Sequence, residues 1–208
     1  MTRPIPYDPG DAIMDRTPEE EEAFWKIIKG HELPNHSKDA SGQITPYSCG
    51  PHTLRNIQRV CDLVKPKFML EIGFNIGWSS AMWLHLSDAK VVSVDISDRV
   101  STAKAAQILA EKYPDRFQFI NRDSKSVLQT LLDMDCQFDL VFVDGDHTDE
   151  GVDNDVQVAL ALKSPYIFFD DWLPRFGPGT VPAIEKHNLV IIEQMGNQVL
   201  TTPPVVAV

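Results

Sequence analysis

KFMLEIGFNIGWSS, residues 67–80, is a short apolar run that ends in glycines and opens a helix. Phe68, Met69, Leu70 and Ile72 read as a buried strand. Gly73 and Gly77 bracket the turn that follows, and Ser79 starts the helix. A strand that runs through glycines into a helix leaves free backbone N–H groups at a crevice over the sheet edge. Glycine is needed where the chain turns with positive φ or where a ligand must touch the main chain. Such a turn suits a nucleotide-like cofactor. The carboxylate of Glu71 beside it argues against a polyphosphate, which it would repel.

Downstream, strand and helix patterns alternate. After the helix from Ser79 to about Leu86, the strand Lys90–Ile96 closes on Asp95. A helix over Asp98–Tyr113 is stopped by Pro114, and the strand Phe117–Ile120 leads to Asp123 and a helix to Leu132. The strand Phe138–Val143 ends at Asp144, and its helix carries Val152, Val156, Ala159 and Leu160 on one face. Tyr166–Phe169 ends in Asp170 and Asp171, a short helix covers Pro182–His187, and a hairpin turns at Gly196-Asn197. Near-continuous apolar strands joined by helices predict a parallel sheet covered on both faces. The expected fold is therefore α/β: a Rossmann-like, doubly wound, mostly parallel seven-stranded sheet with a C-terminal antiparallel hairpin and N-terminal helices.

Upstream, Met1–Arg16 is proline-rich and acidic, an arm expected on the surface or on a partner subunit. Thr17-Pro18-Glu19-Glu20 is a helix start, and that helix carries Phe24, Trp25, Ile27 and Ile28 before stopping at Gly30. His31–Ser48 has no periodicity and reads as a loop. Cys49-Gly50-Pro51 opens a second helix that ends before Pro66.

Of the 208 residues, 43% are hydrophobic and 24% charged, the balance of a water-soluble globular domain able to bury a core. The formal net charge of −11 argues against nucleic acid and anionic membrane as partners, because phosphate contacts need Lys and Arg. Cys49, Cys61 and Cys136 are odd in number and form no CxxC pair, so free thiols in a reducing compartment are expected. With no signal-peptide h-region and no membrane span, a cytoplasmic protein is expected. The arm makes a homodimer or larger homo-oligomer plausible.

Acidic residues close successive strands: Glu71, Asp95, Asp144, then Asp170 with Asp171. Asp95 is placed to accept hydrogen bonds from a ribose diol, since Ser97 or Asp98 is available to cap the next helix. Asp123 either meets the base edge or caps a helix. Asp144, Asp170 and Asp171 would repel one another unless a cation sits between them. Hard oxygen donors suit Mg²⁺, with Ca²⁺ or Mn²⁺ as alternatives. His147, on the loop after Asp144, either takes a proton from a substrate hydroxyl or bonds the loop backbone. DGDHTDEGVDND is not a calcium loop: its sixth residue is not glycine, and Asp155 stands at the twelfth. Trp83 reads as core, whereas Trp78 and Trp172 sit where they could wall a substrate pocket.

EIGFNIGWSS resembles the first motif of class I S-adenosylmethionine-dependent methyltransferases, in the form found in the metal-dependent catechol and caffeoyl-CoA O-methyltransferase branch. VVSVDIS is similar to the second motif, and FDLVFVDGDHTDEGVDND and YIFFDDW resemble the loops that supply the metal ligands. The resemblance implies S-adenosylmethionine as cofactor, a divalent cation on Asp144, Asp170 and Asp171, and a small-molecule hydroxyl acceptor. It implies cofactor contacts at Gly73 and Ser79, within a site that includes Glu71, Gly77, Asp95 and Asp123. His147 stands where catechol methyltransferases carry a catalytic lysine, and Asp171 where asparagine is usual. Residues 1–50 form the expected arm, helix and loop, and residues 51–208 the cofactor-binding catalytic domain. Two alternatives remain: a metal-dependent glycosyltransferase using Asp144-Gly145-Asp146 as a DxD, and a non-methylating or non-catalytic member of the same fold.

Overall fold

Thr17 caps the first helix, α1 (Pro18–Gly30), through a reciprocal box: its hydroxyl accepts the Glu20 N–H at 3.2 Å, and Glu20 accepts the Thr17 N–H at 3.1 Å. The structure, a computed structural model, describes residues 17–34, 37–38, 44–45, 50–134, 137–174 and 176–204. The expected N-terminal arm, Cys49 and Cys136 lie outside the described residues. The stretch read as loop contains two short strands, β1 (Ser37–Lys38) and β2 (Ile44–Thr45), paired antiparallel. Two-residue strands are too short for any alternation to mark them. Helix α2 (Pro51–Val64) stops at Lys65, whose φ of +51° turns the chain before Pro66.

The alternating units follow in the expected order: β3 (Phe68–Ile72), α3 (Trp78–Leu86), β4 (Lys90–Asp95), α4 (Val100–Lys112), β5 (Phe117–Asn121), α5 (Ser124–Leu132), β6 (Leu140–Val143), α6 (Asp149–Ala161), β7 (Ile167–Phe169), α7 (Thr180–Lys186), β8 (Val190–Met195) and β9 (Gln198–Thr202). The sheet order is β5-β4-β3-β6-β7-β9-β8, parallel from β5 to β7 and antiparallel at β9 and β8. From β3 the winding runs one way through β4 and β5, then the other way through β6 and β7. A crevice opens where that direction reverses, over the carboxyl ends of the strands.

Side chains alternate between two cores, one on each face of the sheet. Met69, Phe142 and Phe168 join α1, α2 and α3 on one face; Leu70, Val141, Val143 and Phe169 join α5, α6 and α7 on the other. Trp83 is fully buried against Phe142 and Phe168, with ring centroids 5.8 and 6.1 Å away. Truncating such a side chain to Ala costs about 3–5 kcal/mol. Phe24, Ile27 and Ile28 of α1 share that core. Among the described residues no helix is long and apolar enough to cross a membrane.

Candidate active site

The loops after β3, β4, β5, β6 and β7 enclose a cavity of about 1240 Å³. Gly73 makes the first of these turns, at φ +98°; a Cβ there would overlap the carbonyl of Asp144, so β3 and β6 can meet only through glycine. Asp95 clamps the same turn. Its Oδ2 accepts the N–H groups of Phe74 and Asn75 at 2.8 and 2.7 Å, and its Oδ1 accepts that of Ser97 at 2.7 Å. An ionised carboxylate has about four acceptor positions, so Asp95 keeps one for a ligand hydroxyl. The cap expected from Ser97 or Asp98 does not form; α4 begins later, after Arg99.

Gly73, Ser79, Asp95, Asp123, Asp144, His147, Asp170 and Asp171 all line the cavity. Two of the residues expected at the cofactor, Glu71 and Gly77, do not. Glu71 is fully buried behind the wall and accepts hydrogen bonds from Ser80 and Ser93, with the Ser93 hydroxyl 2.6 Å away. Burial pushes its carboxyl up to about 7 despite those donors. Gly77 adopts φ +76° at the head of α3, where a Cβ would lie 2.7 Å from the Phe74 ring. Asp123 caps α5 by accepting the N–H groups of Lys125 and Ser126 while also facing the cavity. Trp78 lines the cavity and donates from Nε1 to the Pro34 carbonyl; Trp172 packs into the second core instead.

Asp144 and Asp170 meet at the cavity floor. Both line the cavity and are half-buried. Burial, and then the neighbouring carboxylates, push both carboxyls above their usual range, and Asp144 is the more strongly raised. A pair this close holds either a proton or a cation between its oxygens.

Asp171 is arranged differently from the expectation of three convergent ligands. It adopts φ +53° and spends its oxygens on neighbours: Oδ1 accepts from Asn197 Nδ2 at 2.7 Å, and Oδ2 lies 3.2 Å from His147 Nδ1. Among the described residues no three His, Cys, Asp or Glu side chains are arranged to hold a metal ion. Asp146 turns onto Thr148, accepting its N–H and its hydroxyl at 3.0 Å each.

Sequence reasoning missed three features. Thr148, not an aspartate, caps α6. Asp155, 3% exposed, sits in the apolar stripe of Val152, Val156 and Ala159, accepts the Ser124 hydroxyl at 2.5 Å, and is raised to about 7 by burial. Its position within that stripe, at helical spacing, was the available signal. Asn197 and Gln198 approach the site from the C-terminal hairpin, and nothing local in the sequence marks them.

Residues 70–172 match the family model described as a methyltransferase domain. The chain has no match among curated proteins. Its fold is similar to that of the O-methyltransferase TomG from Streptomyces achromogenes, involved in tomaymycin synthesis and solved with S-adenosylmethionine (19% identity, 92% of each chain covered, TM-score 0.61). It is also similar to the O-methyltransferase from Bacillus cereus in complex with S-adenosylhomocysteine (17% identity, 91% of this chain and 93% of that one, TM-score 0.57). A third similar fold is that of the S-adenosylhomocysteine-bound methyltransferase PaMTH1 from Podospora anserina (19% identity, 90% and 89% covered, TM-score 0.58). Residues 70–172 are thus a methyltransferase domain, in the Rossmann-like fold of the class I S-adenosylmethionine-dependent methyltransferases. The fold is similar to that of these O-methyltransferases, and its sheet ends in a C-terminal antiparallel hairpin.

Proposed function

We propose that the protein transfers a methyl group from S-adenosylmethionine to a hydroxyl oxygen of a small molecule, with a vicinal diol or a catechol-like ring as the acceptor class. The observation that carries this reading is the meeting of Asp144, Asp170, Asp171 and His147 on the cavity that Gly73 and Asp95 also line. Fold neighbours that are O-methyltransferases support it, as does the cofactor or its product bound in them. S-adenosylmethionine supplies a methyl group already activated on a sulfonium, so positioning and proton removal are what the chain must add.

Asp95, which keeps one acceptor position after holding the glycine turn, suits the ribose, and Asp123 the base edge. His147 is the proposed base. Asp171 holds the ring by Nδ1, which leaves Nε2 to take the acceptor's proton. The acceptor oxygen then bonds to the methyl carbon while the carbon–sulfur electron pair stays on sulfur. Trp78 offers an aromatic wall for a flat acceptor.

A divalent cation, Mg²⁺ before Ca²⁺ or Mn²⁺, is the proposed companion of this site. The Asp144–Asp170 pair fits one, since hard oxygens crowded at the cavity floor are relieved by positive charge. Asp171 is the third candidate ligand, with its oxygens now given to Asn197 and His147. When bound, the ion would orient and acidify the acceptor hydroxyl. Methyl-labelled S-adenosylmethionine incubated with a panel of diols tests the reading. Label should enter a hydroxyl oxygen, stop with EDTA and return with Mg²⁺. Equal labelling with EDTA would remove the cation, and labelling of nitrogen alone would overturn the acceptor class.

A further inference from the structure

The tip of the C-terminal hairpin reaches back to the carboxylates. β7 and β9 run antiparallel with Phe169 opposite Val199, so one step further along the ladder Asp170 comes opposite Gln198, and Asp171 opposite Asn197. Asn197 is tied at three points. Its Nδ2 donates to Asp171 Oδ1 at 2.7 Å, its Oδ1 accepts the Leu173 N–H at 2.8 Å, and its carbonyl accepts the Trp172 N–H at 2.7 Å. The chain just beyond Asp171 is thereby stitched to the same residue that holds the Asp171 side chain.

Gln198 is fully buried, and its orientation is dictated from α2. Asn56 Nδ2 donates both to the Met195 carbonyl and to Gln198 Oε1, each at 2.8 Å. A backbone carbonyl only accepts, so Asn56 must present its NH₂ group to Met195, and its second hydrogen then requires an oxygen from Gln198. Gln198 Nε2 is left facing the other way, toward Asp170. It is buried and has no hydrogen-bond partner among the described residues. The ladder places the two residues side by side, so this amide is the one set to serve the Asp170 carboxylate. Leaving a buried amide so poorly satisfied is costly, and Asn56 imposes that orientation.

We propose that Asn197 and Gln198 are positioning residues that hold the Asp171 and Asp170 carboxylates in place, and that Asn56 sets the sense of the Gln198 amide. This rests on the reading of Asp144, Asp170 and Asp171 as the acceptor-facing site. Three carboxylates close together repel, and without donors behind them their rotamers would spread outward. Two neighbouring amides on one hairpin tip, one for each aspartate, oppose that spread.

Crystal structures of Gln198→Met and Asn197→Ala test it together with kinetics. Met keeps the volume and removes the amide. The expected result is more than one rotamer for Asp170 in Gln198→Met and for Asp171 in Asn197→Ala, over an unmoved hairpin backbone. The kcat should fall roughly 10–100-fold, as for lost outer-shell partners, with KM for S-adenosylmethionine within about twofold. Asn56→Ala should reproduce the Gln198→Met loss, and the double variant should lose no more than either alone, because Asn56 acts through Gln198. Wild-type rotamers in both variants, or lowered melting with kcat intact, would overturn the proposal. Asn197→Ser, at the half-buried tip, keeps a donor and should restore most of the rate. A wild-type protein that methylates no hydroxyl would instead defeat the function proposed above, and the rotamers would still decide the positioning role.

Discussion

His147 Nδ1 stands 3.2 Å from Asp171 Oδ2 at the mouth of the cavity. A carboxylate on one ring nitrogen fixes the tautomer and hands the base role to the other. His147→Gln keeps a polar side chain but cannot take a proton, so kcat should fall by about 10²–10⁴-fold. The pH–rate profile should change shape. Asp171→Asn keeps a group of the same shape without the charge and should fall between the two. A pH–rate profile in His147→Gln identical to that of the wild type would remove His147 as the base.

Asp144 carries a carboxyl raised by burial and by its acidic neighbours. The folded state therefore keeps a proton that the unfolded chain releases, and this contribution to stability falls as pH rises above the ordinary carboxylate range. Asp144→Asn removes that liability. Its melting temperature at pH 8 should equal or exceed that of the wild type, while turnover disappears. Affinity for S-adenosylhomocysteine, measured by calorimetry, should stay within about threefold, because the nucleoside end is held elsewhere.

Asp155 gives a cleaner test of the same sign. Its carboxyl is raised from 3.8 to about 7, chiefly by burial. Between those values the native state binds the extra proton, so its contribution is full below about pH 4 and lost by about pH 7. Three pKa units correspond to an upper bound of about 4 kcal/mol at 1.36 kcal/mol each. Asp155→Asn can still accept the Ser124 hydroxyl, so it should raise the melting temperature at pH 8, with the gain shrinking toward pH 4. A gain independent of pH would contradict the assignment.

Gly73→Ala places a methyl group on the Asp144 carbonyl at a φ of +98°. Backbone strain of this kind costs on the order of 1–3 kcal/mol, and the overlap adds to it. Thermal melting should drop, and S-adenosylhomocysteine binding should weaken at least tenfold even in the fraction that folds. Normal binding would mean that the turn is not part of the cofactor site.

Much of this was legible before any coordinates. Val91, Val92, Val141 and Phe142 lie in near-continuous apolar runs because both faces of their strands are covered, and such runs announce a parallel sheet. Strand direction alone then brings Asp95, Asp144 and Asp170 to one rim. What stayed hidden depends on partners distant in the chain. Glu71 is a buried residue because Ser80 and Ser93 are there to receive it, and no pattern around Glu71 says so. Asp171 is fixed from far along the chain, because Asn197, across the ladder, holds one oxygen and His147 lies beside the other. The strand pair at 37–45 is too short to carry a period.

The central claim is that one cavity seats an adenosyl cofactor beside the Asp144–Asp170 pair. Calorimetric titration with S-adenosylhomocysteine, followed by Mg²⁺, tests it most directly. The account predicts saturable binding of the nucleoside at one site per chain, and a second heat on adding Mg²⁺ that vanishes in Asp144→Asn. No heat with S-adenosylhomocysteine, or a Mg²⁺ heat that Asp144→Asn leaves unchanged, would contradict it.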